Sequence, residues 1–345
     1  MKLRIFAITF LMIFTQAFAA GKSTTSPTPK YKFKWVLAHE PVELFIAAAK
    51  SFADEVSQQS NGEINVEILT LTEYSKKYKQ GKLFSPSEVA QLVRSGEIEM
   101  SQTYTTTLGR SFTPLYVLDL PFLFRDHSHA TNVLDGKIGK NLLEGLSLSD
   151  IKGLAFTYSG GFRILPGRKA IANVEDFKGL KVSTTTSPVA SDIFTTLGAY
   201  PTTGSPYSEF SGIFLDKNMD LAELTYARYT SIQKSFSAND IKFVNETNHS
   251  LFLTAIIMNQ GLWNKMTDAQ KAIIQHAANS AATLERTQSI EANEKSSAIL
   301  QSTGFKIVKM KDNEVEKLKN ALKPVYEKYN RLLGKDLIQS IIDQQ

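Results

Sequence analysis

The sequence predicts an α/β protein of two lobes. Three observations carry that expectation: a strand–helix–strand rhythm that occurs twice, a length of 345 residues, and an Ala- and Glu-rich stretch from Asp268 to Leu300 without Gly or Pro. The rhythm is that of βαβ units around a mostly parallel sheet. The length corresponds to about two domains of ~150 residues each. The third stretch is a long helix.

The N-terminus carries Lys2 and Arg4, an apolar run from Ile5 to Phe14, and Ala17-Phe18-Ala19. A basic tip, a short apolar core and small residues before the cut make a secretory signal peptide, cleaved after Ala19. The run is too short to span ~30 Å of hydrocarbon, and no later stretch is apolar for long enough. Residues 1–19 are therefore read as the signal peptide and 20–30, rich in Ser, Thr and Pro, as a disordered linker. Loss of Lys2 and Arg4 lowers the net charge from +5 to +3. So small and scattered a charge argues against nucleic acid as a partner. With no cysteine, an exported chain of this size must rely on its core, and a lipid anchor on cysteine is excluded.

Lys32 to Ala38 reads as the first strand. Leu44, Ala48, Phe52 and Val56 recur at helical spacing within Val42 to Gln59, and Asn61-Gly62 stops that helix. Glu63 to Leu69 alternates polar and apolar residues, as a half-buried strand does. The basic cluster from Lys76 to Lys82 reads as a solvated loop. Ser85-Pro86-Ser87-Glu88 marks a helix start, with Val89, Leu92 and Val93 on its inner face. Ile98 to Met100 begins the third strand.

The second cycle opens with the strand Gly153 to Tyr158. Leu180 to Val182, a helix from Val189 to Leu197 and another around Glu209 to Leu215 follow. Leu251 to Met258 is continuously apolar, which suits a strand buried on both faces. After the long helix, Phe305 to Val308 returns as a strand, and Asn313 to Tyr329 and Leu337 to Ile342 are helical. The expected division is 31–159 with 249–288 in lobe I, and 160–248 with 289–345 in lobe II.

Several segments, in order, resemble one known family. They include Asn61 to Val66, Val117 to Arg125, Asp135 to Gly139, Gly161-Phe162-Arg163, Val174 to Val182, Leu197 to Pro201 and Pro324 to Tyr329. The chain resembles, over nearly all its mature length, the solute-binding subunit of tripartite ATP-independent periplasmic (TRAP) transporters. That resemblance implies a two-lobed, class II-like periplasmic binding protein fold with a cleft between lobes and long C-terminal helices. It implies a periplasmic receptor for a small organic solute, a membrane permease as partner, no cofactor, no metal and no catalysis. The C-terminal helix leaves monomer and homodimer both open.

Arg163 follows Gly160-Gly161 at a strand end, where ligands of open α/β sheets sit. A guanidinium there holds a carboxylate by two parallel hydrogen bonds. An ion pair with an acid such as Asp176 is the competing reading. Ser183 stands where the family places its main carboxylate-binding arginine, and Leu224 where it places an asparagine. A hydroxyl cannot neutralise a buried charge. Thr186 continues the hydroxyl-lined strand, although threonine is also a plain strand former. Glu223 is read either as a ligand contact or as a brace for Arg163. Tyr104, Tyr158 and Tyr207 fall at positions that line the family's cleft, with Tyr226 and Tyr229 nearby, and His39 lies just beyond the first strand. Aromatic faces there suit an apolar, ring-bearing or cationic solute. Asp126-His127-Ser128-His129 lacks a further ligand and is expected to be surface loop, not a metal site.

A monocarboxylate on Arg163 is the leading expectation for the solute. A neutral or aromatic solute, and a cation held by tyrosines and Glu223, are the alternatives. A ligand-binding partner of a periplasmic sensor would need the same fold.

Overall fold

The computed structural model describes residues 29–39, 43–203, 216–233 and 240–345. The expected signal peptide, the helix around Glu209 and the candidate Tyr207 lie outside the described residues. The strands are β1 (Tyr31–Leu37), β2 (Ile64–Thr70), β3 (Met100–Tyr104), β4 (Ile151–Phe162), β5 (Leu165–Gly167) and β6 (Lys181–Thr184). They continue with β7 (Tyr200–Thr203), β8 (Leu221–Ala222), β9 (Phe243–Glu246), β10 (Leu251–Asn259) and β11 (Lys306–Lys309).

Local sequence explains the helices between them. In the helix Ile46–Gln59, Ala48, Phe52 and Val56 form the buried stripe that their spacing predicts. Asn61 (φ 51°) and Gly62 (φ 79°) make the turn that follows. Ser85 and Glu88 form a reciprocal capping box in front of the helix Pro86–Arg94. Two loop expectations are corrected. Leu71–Tyr78 is a helix, because Thr70 and Glu73 supply a second capping box, and Lys76 and Lys77 sit in its last turn, where cations suit the helix dipole. His127–Asp135 is a helix as well, with Asp126 accepting from the His129 backbone N–H at 2.8 Å as its N-cap.

The strands form two sheets. One has the order β2-β1-β3-β10-β4 and the other β11-β9-β5-β8-β6-β7. In the first, β1 pairs parallel to β2 and β3, whereas β10 lies antiparallel between β3 and β4. The sheet is therefore mixed, because β10 arrives from the other half of the molecule. Its apolar run is central and covered on both faces. Eight of its residues, Leu251 to Met258, are buried.

The chain crosses between sheets three times: from β4 to β5, from β9 to β10, and through the helix Asp268–Ser302 to β11. The helix serves both halves. Ala277, Ala278, Ala281 and Ala282 pack with Phe52 and Trp35 of the first, and Leu300 packs with Ile164 and Val244 of the second. The C-terminal helices (Asp312–Ala321, Lys323–Leu333, Lys335–Asp343) also touch both halves. Tyr326 donates to the Pro121 carbonyl at 2.7 Å, and Tyr329 to Asp192 at 2.8 Å.

The first crossing turns on glycine. Gly160 and Gly161 hold φ of +87° and +90°, and the pairing of β4 with β10 slips beside them, between Phe252 and Leu253. A Cβ at Gly160 would overlap the Thr225 hydroxyl, whereas one at Gly304 (φ +92°) would meet nothing within 4 Å. Gly304→Ala should therefore cost ~1–2 kcal/mol from backbone strain alone. Gly160→Ala should cost ~1–3 kcal/mol more through overpacking. Urea denaturation of both variants checks this, and equal losses would contradict it.

Candidate functional site

The carboxyl ends of β1, β3 and β6 converge where β4 leaves the first sheet and β10 enters it. Arg163, one residue past β4, is the centre of this region and is 1% exposed. Its Nη1 donates to Glu223 at 2.8 Å and its Nη2 to Asp119 at 2.5 Å. Glu223 also receives the Thr184 hydroxyl and the Nε2 of His249 at 2.9 Å, and His249 Nδ1 meets the Thr247 hydroxyl at 2.7 Å. Thus a guanidinium, two carboxylates and an imidazole form one buried polar network across the crossing.

The electrostatics follow from this packing. Burial disfavours the charged form of Glu223, but Arg163, His249 and Thr184 outweigh it and hold the carboxyl far below its usual range. Burial pushes Asp119 up, against the attraction of Arg163 and with added repulsion from Glu223. Burial also works against the Arg163 cation, but its two acids keep it firmly protonated. Arg163 is thus an ion-paired residue here, with Asp119 and Glu223 as its acids. The expected alternative partner, Asp176, instead caps its own turn by accepting from the Ala172 and Asn173 backbone N–H groups.

A column of flat groups extends from the guanidinium. Arg163 Cζ lies 4.5 Å from the Phe252 ring centre, and Phe252 stacks on Tyr104 at 4.5 Å with 10° between planes. The His39 ring centre is 3.6 Å beyond Tyr104. His39 Nε2 accepts the Tyr104 backbone N–H at 3.2 Å, so the neutral ring carries its proton on Nδ1. Burial, then the positive charge of Arg228, lowers the His39 pKa well below that of a free histidine.

The other expected residues divide. Tyr104 OH lies 3.4 Å from the Ser159 hydroxyl, which places Tyr104, Phe252, Arg163, Glu223 and His39 in one connected group. Ser183 is buried on β6, with its carbonyl accepting from the Glu223 N–H at 2.8 Å. Thr186 presents a buried hydroxyl with no hydrogen-bond partner. Tyr158 is not in the group. Its ring lies 5.3 Å from His127 and 6.0 Å from the Arg286 guanidinium, since Tyr158 and Ser159 point to opposite faces of β4. Among the described residues no cluster of His, Cys, Asp and Glu could hold a metal ion. Asp119, His249, Phe252 and Arg228 were not singled out from the sequence. The only signal was a lone acid, Asp119, inside the apolar run from Leu115 to Leu123.

The family described as bacterial extracellular solute-binding protein, family 7, matches residues 38–332. This chain belongs to that family. It is a TRAP-type solute-binding protein, a receptor and not an enzyme. It is 27% identical over 315 residues to the C4-dicarboxylate-binding protein DctB of Bacillus subtilis, covering 91% of this chain and 85% of that one. A TRAP periplasmic solute-binding protein from Polaromonas, bound to D-erythronate, aligns with TM-score 0.80 at 25% identity, covering 91% and 99% of the two chains. One from Ochrobactrum anthropi, with its own C-terminus in the ligand pocket, aligns with TM-score 0.79 at 25% identity over 92% and 95%.

Two outcomes follow from the buried charges. Arg163→Met leaves two buried acids without their cation and should cost ~3–5 kcal/mol in urea unfolding. A loss below ~1 kcal/mol, the scale of an exposed pair, would contradict that role. The depressed His39 pKa means the unfolded chain takes up a proton that the folded one refuses. Below a pH of about 6.5, stability should therefore fall with pH by up to ~1.4 kcal/mol per unit until the folded pKa is reached. His39→Gln should flatten that part of the stability–pH curve, and an unchanged slope would show that His39 does not titrate this way.

Proposed function

We propose that this protein captures a small organic acid in the periplasm and delivers it to a TRAP-type membrane permease. The observation that carries the reading is the pairing of the family match with the column from His39 to Arg163, which stands where the two sheets meet. Relatives point to the same ligand class: DctB of Bacillus subtilis is named for C4-dicarboxylates, and the Polaromonas protein holds D-erythronate. Ligand sites in folds of this kind lie at the carboxyl ends of parallel strands, which is where His39, Tyr104 and Thr186 are.

A monocarboxylate fits this chain better than a diacid. Ser183 brings a hydroxyl where a second arginine would bring charge, and Leu224, 0% exposed, brings an apolar wall. Tyr104 supplies a ring, and the unpartnered Thr186 hydroxyl supplies a polar contact. The solute draws the lobes together only through its additional affinity for the closed arrangement. Arg163 acts mainly through position: its committed Nη groups hold Glu223 and Asp119 in place at the crossing between the sheets.

The test is mass spectrometry of small molecules released by denaturing the purified protein, followed by denaturation with each hit added back. A ligand present at 100 times its dissociation constant should add about 2.7 kcal/mol of stability. If organic acids leave stability unchanged while a neutral or cationic compound raises it, the proposed ligand class is wrong.

A further inference from the structure

A buried acid lies one layer below the aromatic column, between the first sheet and the helix Asp268–Ser302. Gln102 on β3 stands two residues from Tyr104, Thr254 on β10 two from Phe252, and Thr157 on β4 two from Ser159. Two residues along a strand return to the same face. The three side chains meet there. Gln102 Nε2 lies 2.9 Å from the Thr157 hydroxyl and 3.1 Å from the Thr254 hydroxyl, and the two hydroxyls contact each other. Glu285, 0% exposed on the long helix, closes the cluster by accepting from Gln102 Nε2 through Oε2 at 2.8 Å. Ser289, one turn further on that helix face, lies 3.4 Å from both the Gly160 N–H nitrogen and the Tyr158 carbonyl. The cluster therefore reaches the turn where the chain leaves the first sheet.

The atoms left over decide its chemistry. Glu285 Oε1 and Gln102 Oε1 are both buried and have no hydrogen-bond partner among the described residues, although the two groups already touch through their other ends. An ionised carboxylate and an amide carbonyl are both acceptors and cannot satisfy each other, whereas a proton on Glu285 turns one of them into a donor. A reciprocal acid–amide pair then leaves neither atom orphaned.

No cation compensates a charge at this position. Arg286, the next residue, turns away to hold Asp135 with both Nη groups at 2.9 and 2.7 Å. β3 and β10 carry no charged residue. Lys152, the one charged side chain of β4, lies over the Trp263 ring, and Tyr158 is on the opposite face. The helix Ile46–Gln59 buries only Ala48, Ala49, Phe52 and Val56. In the helix Tyr226–Gln233, the Arg228 charge acts on His39, Tyr226 donates to Glu246 and Tyr229 packs edge-on against Phe305. On the long helix itself, His276 meets Glu55, and Glu291, Glu294 and Lys295 are exposed. Burial accordingly pushes the Glu285 carboxyl well above the usual carboxylate range, against the smaller pull of Thr157, Gln102, Arg286 and Ser289.

We propose that Glu285 is carried in the folded protein as a neutral carboxylic acid and works as a proton-operated latch, holding the long helix to the strands that present Tyr104, Phe252 and Ser159. Ionisation breaks the pair with Gln102 and leaves a buried charge without a cation. Glu285 is thus a positioning residue: the latched layer is the floor on which the column stands. The latch does not depend on what the cleft binds, and its effect on solute capture rests on the organic-acid reading above.

Infrared difference spectra of the purified full chain supply the first test. At neutral pH the folded wild type should show the carbonyl band of a protonated acid that disappears at alkaline pH and is missing in Glu285→Gln. Urea unfolding across pH is the second. The folded pKa of Glu285 lies above its ordinary value of 4.5, so its contribution to stability is complete below 4.5 and is lost as pH rises through the folded value. In that window the unfolding constant of wild type relative to Glu285→Gln should rise by up to ~tenfold per unit, while groups common to both, His39 included, cancel. An amide offers the donor and acceptor of the neutral acid, so Glu285→Gln should fold. Glu285→Ala leaves Gln102 unpaired and should be weakened at every pH. The third test is calorimetry with D-erythronate, succinate and pantoate. Any acid that binds should bind wild type ever more weakly as pH rises through the same window, and Glu285→Gln without that fall. A missing band with a pH-independent ratio overturns the latch, and so does a Glu285→Gln variant that fails to fold. A latch supported by both measurements, with solute affinity indifferent to it, overturns the positioning role. If none of the three acids binds, the organic-acid reading is what fails, and the spectra and unfolding constants still decide the latch.

Discussion

The structure depends on keeping one buried cation compensated. Arg163 lies where β4 ends, and its two acids come from distant parts of the chain, Asp119 before β4 and Glu223 after β8. An isolated charge in this interior would cost several kcal/mol, so folding must bring all three segments together or leave the guanidinium unpaired. That requirement fixes how the two sheets meet. Glu223 also receives Thr184 from β6 and His249 from the crossing into β10. The crossings from β4 to β5 and from β9 to β10 are therefore tied to a single carboxylate.

The aromatic column extends this constraint into the first sheet. Phe252 lies below the guanidinium with its face toward the charge, a favourable contact for a cation. Its other side is occupied by Tyr104, whose backbone N–H in turn sets the orientation of His39. Backbone and side chains thus bear on the same few residues. Tyr104 is positioned on three sides, by Phe252, His39 and Ser159.

Much of the fold was legible in the sequence. Helical periodicity located Ala48, Phe52 and Val56, and an unbroken apolar run located β10, because burial leaves a direct imprint on composition. Short strands were not legible. Leu165–Gly167 and Leu221–Ala222 pair through a few residues each, and their place in the sheet is set by long-range contacts. The helices at Leu71 and His127 were concealed by polar composition, although the caps at Thr70 and Asp126 were readable. Of the site, the strand-end position of Arg163 was legible, and bracing by Glu223 was one of the two readings of that acid; the pairing with Asp119 was not legible. Asp119 lies 44 positions away, and no periodicity marks such a pair. Tyr158 shows the same limit at short range: its neighbour Ser159 faces Tyr104, and one residue along a strand reverses the face.

The pairing of Arg163 with two acids limits what it can do besides hold the crossing. A carboxylate buried without a cation is left desolvated and uncompensated, a large penalty in a dry interior. Arg163 is unsuited to relieving that penalty for any further anion, because drawing it away would strip charge from Glu223 and Asp119, which have no other guanidinium beside them among the described residues. Ser183, on the neighbouring strand β6, contributes its carbonyl to the Glu223 N–H and brings no charge of its own. The polar centre is therefore balanced within itself, and its acids and its cation are bound to the integrity of the crossing.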